Sequence, residues 1–75
     1  MTITPDQCKA ARDLLGWSRV KLARVAGVGQ TTVYSFESAV PKSGWILAVL
    51  RSTLEAAGVE FDDKGHGVRM REGKP

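Results

Sequence analysis

Seventy-five residues with a formal net charge of +3 are enough for one small domain and its modest core. One cysteine excludes an intramolecular disulfide, and with a single histidine the chain has no Cys/His cluster for a structural metal, so helix packing or dimerisation must supply the stability. The longest strongly apolar stretch, residues 45–50, is far below the roughly 20 residues of a membrane span, and the N-terminus shows no basic region followed by an apolar block. A cytoplasmic protein without membrane contact is expected.

The positive charge is concentrated. Residues 19–42 hold Arg19, Lys21, Arg24 and Lys42 against Glu37 alone, whereas acids and bases balance in residues 57–75. In chain order, Thr4 and Pro5 read as an N-cap and a first helical residue, with Gln7 placed to complete a capping box. Cys8, Ala11, Leu14 and Leu15 recur at helical spacing before Gly16 stops the helix, so Cys8 belongs to the core. Ser18 caps a second, two-turn helix whose apolar residues Val20, Leu22, Ala23 and Ala26 alternate with Arg19, Lys21 and Arg24, and Gly27 ends it.

The segment Gly27-Val28-Gly29 is long enough only for a tight turn, so a third helix must follow at a steep angle. That helix, Gln30-Thr31-Thr32-Val33-Tyr34-Ser35-Phe36-Glu37, sets Val33 and Phe36 on one face and Gln30, Thr31, Tyr34 and Ser35 on the others. Solvated faces usually carry Glu and Lys. A polar face of Thr, Gln, Tyr and Ser is a costly choice unless its hydrogen-bonding groups are used. After Pro41, Ser43 caps the longest helix, which runs to Ala57-Gly58. Ile46, Leu47, Leu50, Leu54 and Ala57 form its core stripe, and Trp45, Val49 and Ala56 form a second stripe beside it. The second stripe either packs under the C-terminal segment or meets another copy of the protein.

Beyond Gly58 the period becomes alternating. Val59, Phe61, Val68 and Met70 face one way and Glu60, Asp62, Arg69 and Arg71 the other, as in a β-hairpin with a turn at residues 63–67. A lone hairpin is marginal in water, so this one must pack on the fourth helix or extend a sheet with another chain. Residues 72–75 carry no apolar anchor and read as a frayed end.

Two short helices joined by a three-residue glycine turn, the second polar on its outer face, make a helix-turn-helix. Leu15-Gly16-Trp17-Ser18-Arg19-Val20-Lys21-Leu22-Ala23-Arg24-Val25-Ala26-Gly27-Val28 followed by Thr32-Val33-Tyr34-Ser35-Phe36-Glu37 resembles the phage repressor and Cro-type (XRE-type) family of transcription regulators. The resemblance covers residues 8–57, and the C-terminal segment with Leu54-Glu55-Ala56-Ala57-Gly58-Val59-Glu60-Phe61 and Gly67-Val68-Arg69 is similar to the ending of many small bacterial regulators of this type. The fold expected is mainly α: a four-helix, lambda-repressor-like helix-turn-helix domain (helices about 5–15, 18–26, 30–37 and 43–57) with a C-terminal β-hairpin (about 59–62 and 67–71). Residues 1–57 would form the DNA-binding domain, 58–72 a hairpin in the same fold or in a dimer interface, and 73–75 a tail.

The resemblance implies roles residue by residue. Gln30, Thr31 and Ser35 match base-reading positions, Thr32 adds a hydroxyl and a methyl, and Arg19 stands where the second helix begins, within reach of a phosphate or a guanine edge. Backbone contacts fall to Ser18, Lys42 and Ser43, and Tyr34 either stacks against a sugar or shields the core. Arg12 and Glu37 match a structural ion pair that ties the first helix to the end of the third. The chain departs from the family at Gly29, where relatives usually offer Ser or Thr, and at Ser38-Ala39-Val40, where a Gly commonly follows the Glu.

One recognition helix spans only a few base pairs, so a homodimer on a palindromic double-stranded operator is expected, with Trp45, Val49, Phe61, Val68 and Met70 as candidate dimer contacts. The alternative is a helix-turn-helix interaction module, antitoxin-like or antiactivator-like, that does not itself touch DNA. An enzyme lacks parts: no paired carboxylates in a cleft, one histidine (His66) in a turn, and no phosphate-binding Gly-rich loop. No cofactor or metal is called for.

Overall fold

The computed structural model describes residues 3–62 and 67–71. The chain forms α1 (Pro5–Leu15), α2 (Arg19–Ala26), α3 (Gln30–Glu37) and α4 (Gly44–Ala56), then antiparallel strands β1 (Val59–Phe61) and β2 (Val68–Met70). This is the mainly helical domain with a C-terminal hairpin that the sequence predicts. Helices α2 and α4 begin one residue later than expected because Ser18 and Ser43 occupy the N-cap positions themselves. Of the turn expected at residues 63–67, residues 63–66 lie outside the described residues, as does the tail at 72–75.

Local chemistry sets the helix ends. Thr4 Oγ1 accepts the Gln7 N–H at 3.1 Å and Gln7 Oε1 accepts the Thr4 N–H at 3.0 Å, the two halves of a capping box. Ser18 Oγ accepts the Lys21 N–H at 3.0 Å, whereas Ser43 caps α4 by position only, without a side-chain hydrogen bond. Gly27 takes φ 76, which lets the chain leave α2 and re-enter a helix at Gln30. At the end of α3, the Ala39 N–H donates to Phe36 O at 2.9 Å and the Val40 N–H to Ser35 O at 3.0 Å, closing a Schellman turn. The left-handed residue of that turn is Ala39, at φ 69, and its Cβ makes this conformation cost about 1–2 kcal/mol.

The core lies where the four helices meet β1. Leu22, Leu50, Leu54, Val33, Val59 and Cys8 are fully buried, joined by Ile3, Ala11, Ala23 and Phe36. Leu14 and Val20, expected in the core stripes, are exposed. Each lies roughly a quarter to a third of a turn from the centre of its helix's buried stripe, far enough round to meet solvent.

The hairpin pairs Val59 with Met70, Glu60 with Arg69 and Phe61 with Val68, and it packs on α1 as well as on α4. The Gln7 side chain fixes its far end: Nε2 donates to Asp62 O at 3.2 Å and to Gly67 O at 3.4 Å. At the near end the Arg71 N–H donates to Gly58 O at 2.6 Å, and Arg71 Nη2 donates to Glu55 O at 2.7 Å. Because β1 starts only two residues after α4, the hairpin does not cover the start of that helix, about 18 Å away along its axis. Trp45 is therefore 64% exposed; Ala56, at the other end of α4, is exposed as well, and Val49 between them is half-buried, so the second stripe of α4 is not packed under the C-terminal segment as a whole.

Candidate nucleic-acid interface

The frame of the site is a buried ion pair. Glu37, at the last position of α3, accepts from Arg12 Nε at 2.7 Å and from Arg12 Nη2 at 2.8 Å, a two-pronged contact between side chains only 10% and 4% exposed. Arg12 Nη1 also donates to Trp17 O at 3.0 Å, tying α1 to the loop before α2. The Cys8 thiol donates to Glu37 Oε2 at 3.2 Å. Burial, together with the hydrogen bond to the neighbouring carboxylate, pushes that thiol far above its ordinary range, and Cys8 stays a protonated core group. The hydrogen bond to Glu37 likewise raises the Arg12 guanidinium above its already high value.

This arrangement decides the charge of the surface outside it. Glu37 is the one acid in residues 19–42, and it is spent on Arg12 inside the fold. Arg19, Lys21 and Arg24 are exposed around it, with Lys21 Nζ lying over the Trp17 ring at 5.7 Å. The helix-turn-helix thus shows a cationic rim beside an uncharged helix face, a form suited to a polyanion.

Arg19, Val20, Gln30, Thr31 and Tyr34 line one shallow depression between the start of α2 and the outer face of α3. Gln30 and Thr31 are exposed at the first turn of α3. Thr32 and Ser35 are half-buried, and the Ser35 hydroxyl donates to Thr32 O at 3.3 Å, which leaves its oxygen as an acceptor. Tyr34 is 56% exposed and carries the Arg19 guanidinium over its ring at 4.6 Å, so it does not shield the core. Ser18 is exposed at the N-cap of α2, Ser43 at that of α4, and Lys42 beside it is half-buried. Sequence reasoning missed Val20 as part of this depression, and its departure from the buried stripe of α2 was the signal. It also missed the second task of Gln7, which nothing in the local sequence marks.

The candidate dimer residues fall in two places. Trp45 and the half-buried Val49 lie in the first half of α4. Phe61, Val68 and Met70 lie on the hairpin, where Phe61 carries the Arg51 guanidinium at 5.3 Å and Met70 is exposed. Among the described residues no group of acids, histidines and cysteines is placed to hold a metal, and no helix is long and apolar enough to cross a membrane.

Residues 9–43 match the family model described as helix-turn-helix, which takes in most of α1, the whole of α2 and α3, and the loop before α4. Over that stretch the chain is similar to the helix-turn-helix of the phage repressor and Cro type, which supports a DNA-binding regulator in general. No curated protein matches the chain.

Proposed function

We propose that this protein is a sequence-specific transcription regulator of the cytoplasm that binds a palindromic operator as a homodimer, placing α3 in the major groove of each half-site. The observation that carries this reading is the shared face of Arg19, Gln30, Thr31 and Tyr34: exposed, free of acid and rich in hydrogen-bonding groups. In this reading Gln30 pairs with adenine N6 and N7, Thr31 and Thr32 offer hydroxyls and methyls, Ser35 accepts or donates one turn further on, and Arg19 reads beside Gln30. Ser18, Lys42, Ser43 and the α2 amides grip the backbone, fixing register without reading sequence.

Selection of genome fragments by the purified protein tests it. Enrichment of one palindromic site, with Gln30→Ala relaxing the preference at a single base pair in each half, is the expected result. If no fragment is enriched over a scrambled control at low salt, the DNA reading fails and a protein partner is to be sought. The dimer is read from exposed apolar groups at the expected places, Trp45 on α4 and Met70 on the hairpin. Replacing Phe61 and Met70 together with polar residues should yield monomers by solution mass if the hairpin is the interface, and Trp45→Ser should do so if α4 is.

A further inference from the structure

The outward-facing Tyr34 has a use that the resemblance does not supply. We propose that Tyr34 is a positioning residue whose ring holds the Arg19 guanidinium on the outer face of α3, so that Arg19 reads a guanine edge next to the base contacted by Gln30. The inference rests on the DNA reading above.

Arg19 begins α2, yet its guanidinium lies against α3, 4.6 Å from the centre of the Tyr34 ring and with Nη1 3.9 Å from Glu37 Oε1. A long, flexible side chain is thereby drawn across the turn onto the helix that enters the groove. Neither contact uses up its chemistry. The distance to Glu37 exceeds that of a hydrogen bond, and that carboxylate already accepts from Arg12 twice and from Cys8 once. Arg12, Arg19 and Glu37 together keep one unmatched positive charge, and it resides on the more exposed cation, Arg19. Stacking on a ring face also leaves the planar edge of a guanidinium, with its donors, pointing away from the ring.

The position of that edge selects the acceptor. The residues around it are Val20, Gln30, Thr31 and Tyr34, the face proposed to enter the groove. Guanine shows two acceptors there, N7 and O6, at the spacing of an arginine fork, and such a pair gains from a fork held in place beforehand. A phosphate contact needs no such platform, because a freely swinging arginine satisfies it from many angles.

The experiment is selection from a randomised duplex library with wild type, Tyr34→Phe, Tyr34→Leu, Arg19→Ala and the Arg19→Ala/Tyr34→Leu double variant, each checked for a wild-type thermal melt. Wild type and Tyr34→Phe should share a guanine preference at one position per half-site. Arg19→Ala should abolish it, a loss of about tenfold or more. Tyr34→Leu should weaken it by roughly three- to tenfold at that position alone, and the double variant should be no worse than Arg19→Ala. An upfield-shifted Arg19 Nε–H resonance, present in wild type and Tyr34→Phe and absent in Tyr34→Leu, should report the stack without DNA. The proposal is overturned if Tyr34→Leu keeps the guanine preference, if that resonance is unshifted in wild type, or if Arg19→Ala weakens all sequences equally while lowering the salt slope. If wild type enriches nothing, the DNA reading falls and takes this inference with it; enrichment by wild type with an unaffected Tyr34→Leu sinks only the inference.

Discussion

Two arginine–carboxylate pairs of similar length hold different parts of this molecule. Arg12 and Glu37 join α1 to α3 at 2.7 Å in a seam where their side chains are 10% and 4% exposed. Arg69 and Glu60 join the two strands at 3.0 Å, with side chains 74% and 40% exposed. Distance does not separate them; surroundings do. In the seam the carboxylate has three donors and almost no water, so removing either Arg12 or Glu37 strands a charge in the interior. On the hairpin water replaces a lost partner at once. The seam also sets where α3 lies relative to α1, whereas the strand pair only adds to a register already set by alternation and by backbone bonds.

The largest test of this contrast is Glu37→Ala, which should cost about 3–5 kcal/mol in chemical denaturation and bring so small a domain close to unfolding. Replacing Arg12 and Glu37 together by Met and Leu should recover most of that loss, because the cost arises from the stranded charge; a double variant as unstable as the single one breaks the comparison. Next comes Gln7, which links the two regions. Gln7→Ala removes half of the capping box and the side-chain bonds to Asp62 and Gly67, and should cost about 1–2 kcal/mol with faster hydrogen exchange in β1 and β2 than in α3. Uniform acceleration throughout the chain would show that the hairpin has no separate attachment.

A smaller effect of opposite sign is expected just past the seam. Ala39→Gly relieves the positive φ that follows α3 and should stabilise the protein by about 0.5–1 kcal/mol, the relief being offset in part by the freer unfolded chain. A destabilised Ala39→Gly would mean that the turn is held by more than its backbone. The smallest effect belongs to the hairpin surface: Arg69→Ala should change the unfolding free energy by less than about 0.5 kcal/mol and lose even that at high salt. A loss comparable to that of Glu37→Ala would make exposure irrelevant and end the comparison.

The helix boundaries, the glycine turn between α2 and α3 and the alternation of the hairpin were legible in the chain because each depends on residues no more than four positions apart. Thr4 with Gln7, Ser18 with Lys21, and Gly27 behind Ala23 meet through backbone geometry alone. The helix-turn-helix follows from that spacing, and with it the outward position of Gln30 and Thr31. Contacts between distant residues were decided elsewhere. The Cys8 thiol meets Glu37, Arg19 crosses to Tyr34, and Gln7 reaches Asp62 and Gly67 only because four helices pack at particular angles around Leu22, Leu50 and Leu54. Periodicity set Leu54 in the core stripe and Trp45 in a second stripe of the same helix, but it could not say whether anything covers that second stripe; in the fold Leu54 is buried and Trp45 is left in water. A helix's own geometry sets its stripe, but the surface that covers the stripe belongs to another part of the chain, and its reach is a property of the assembled fold.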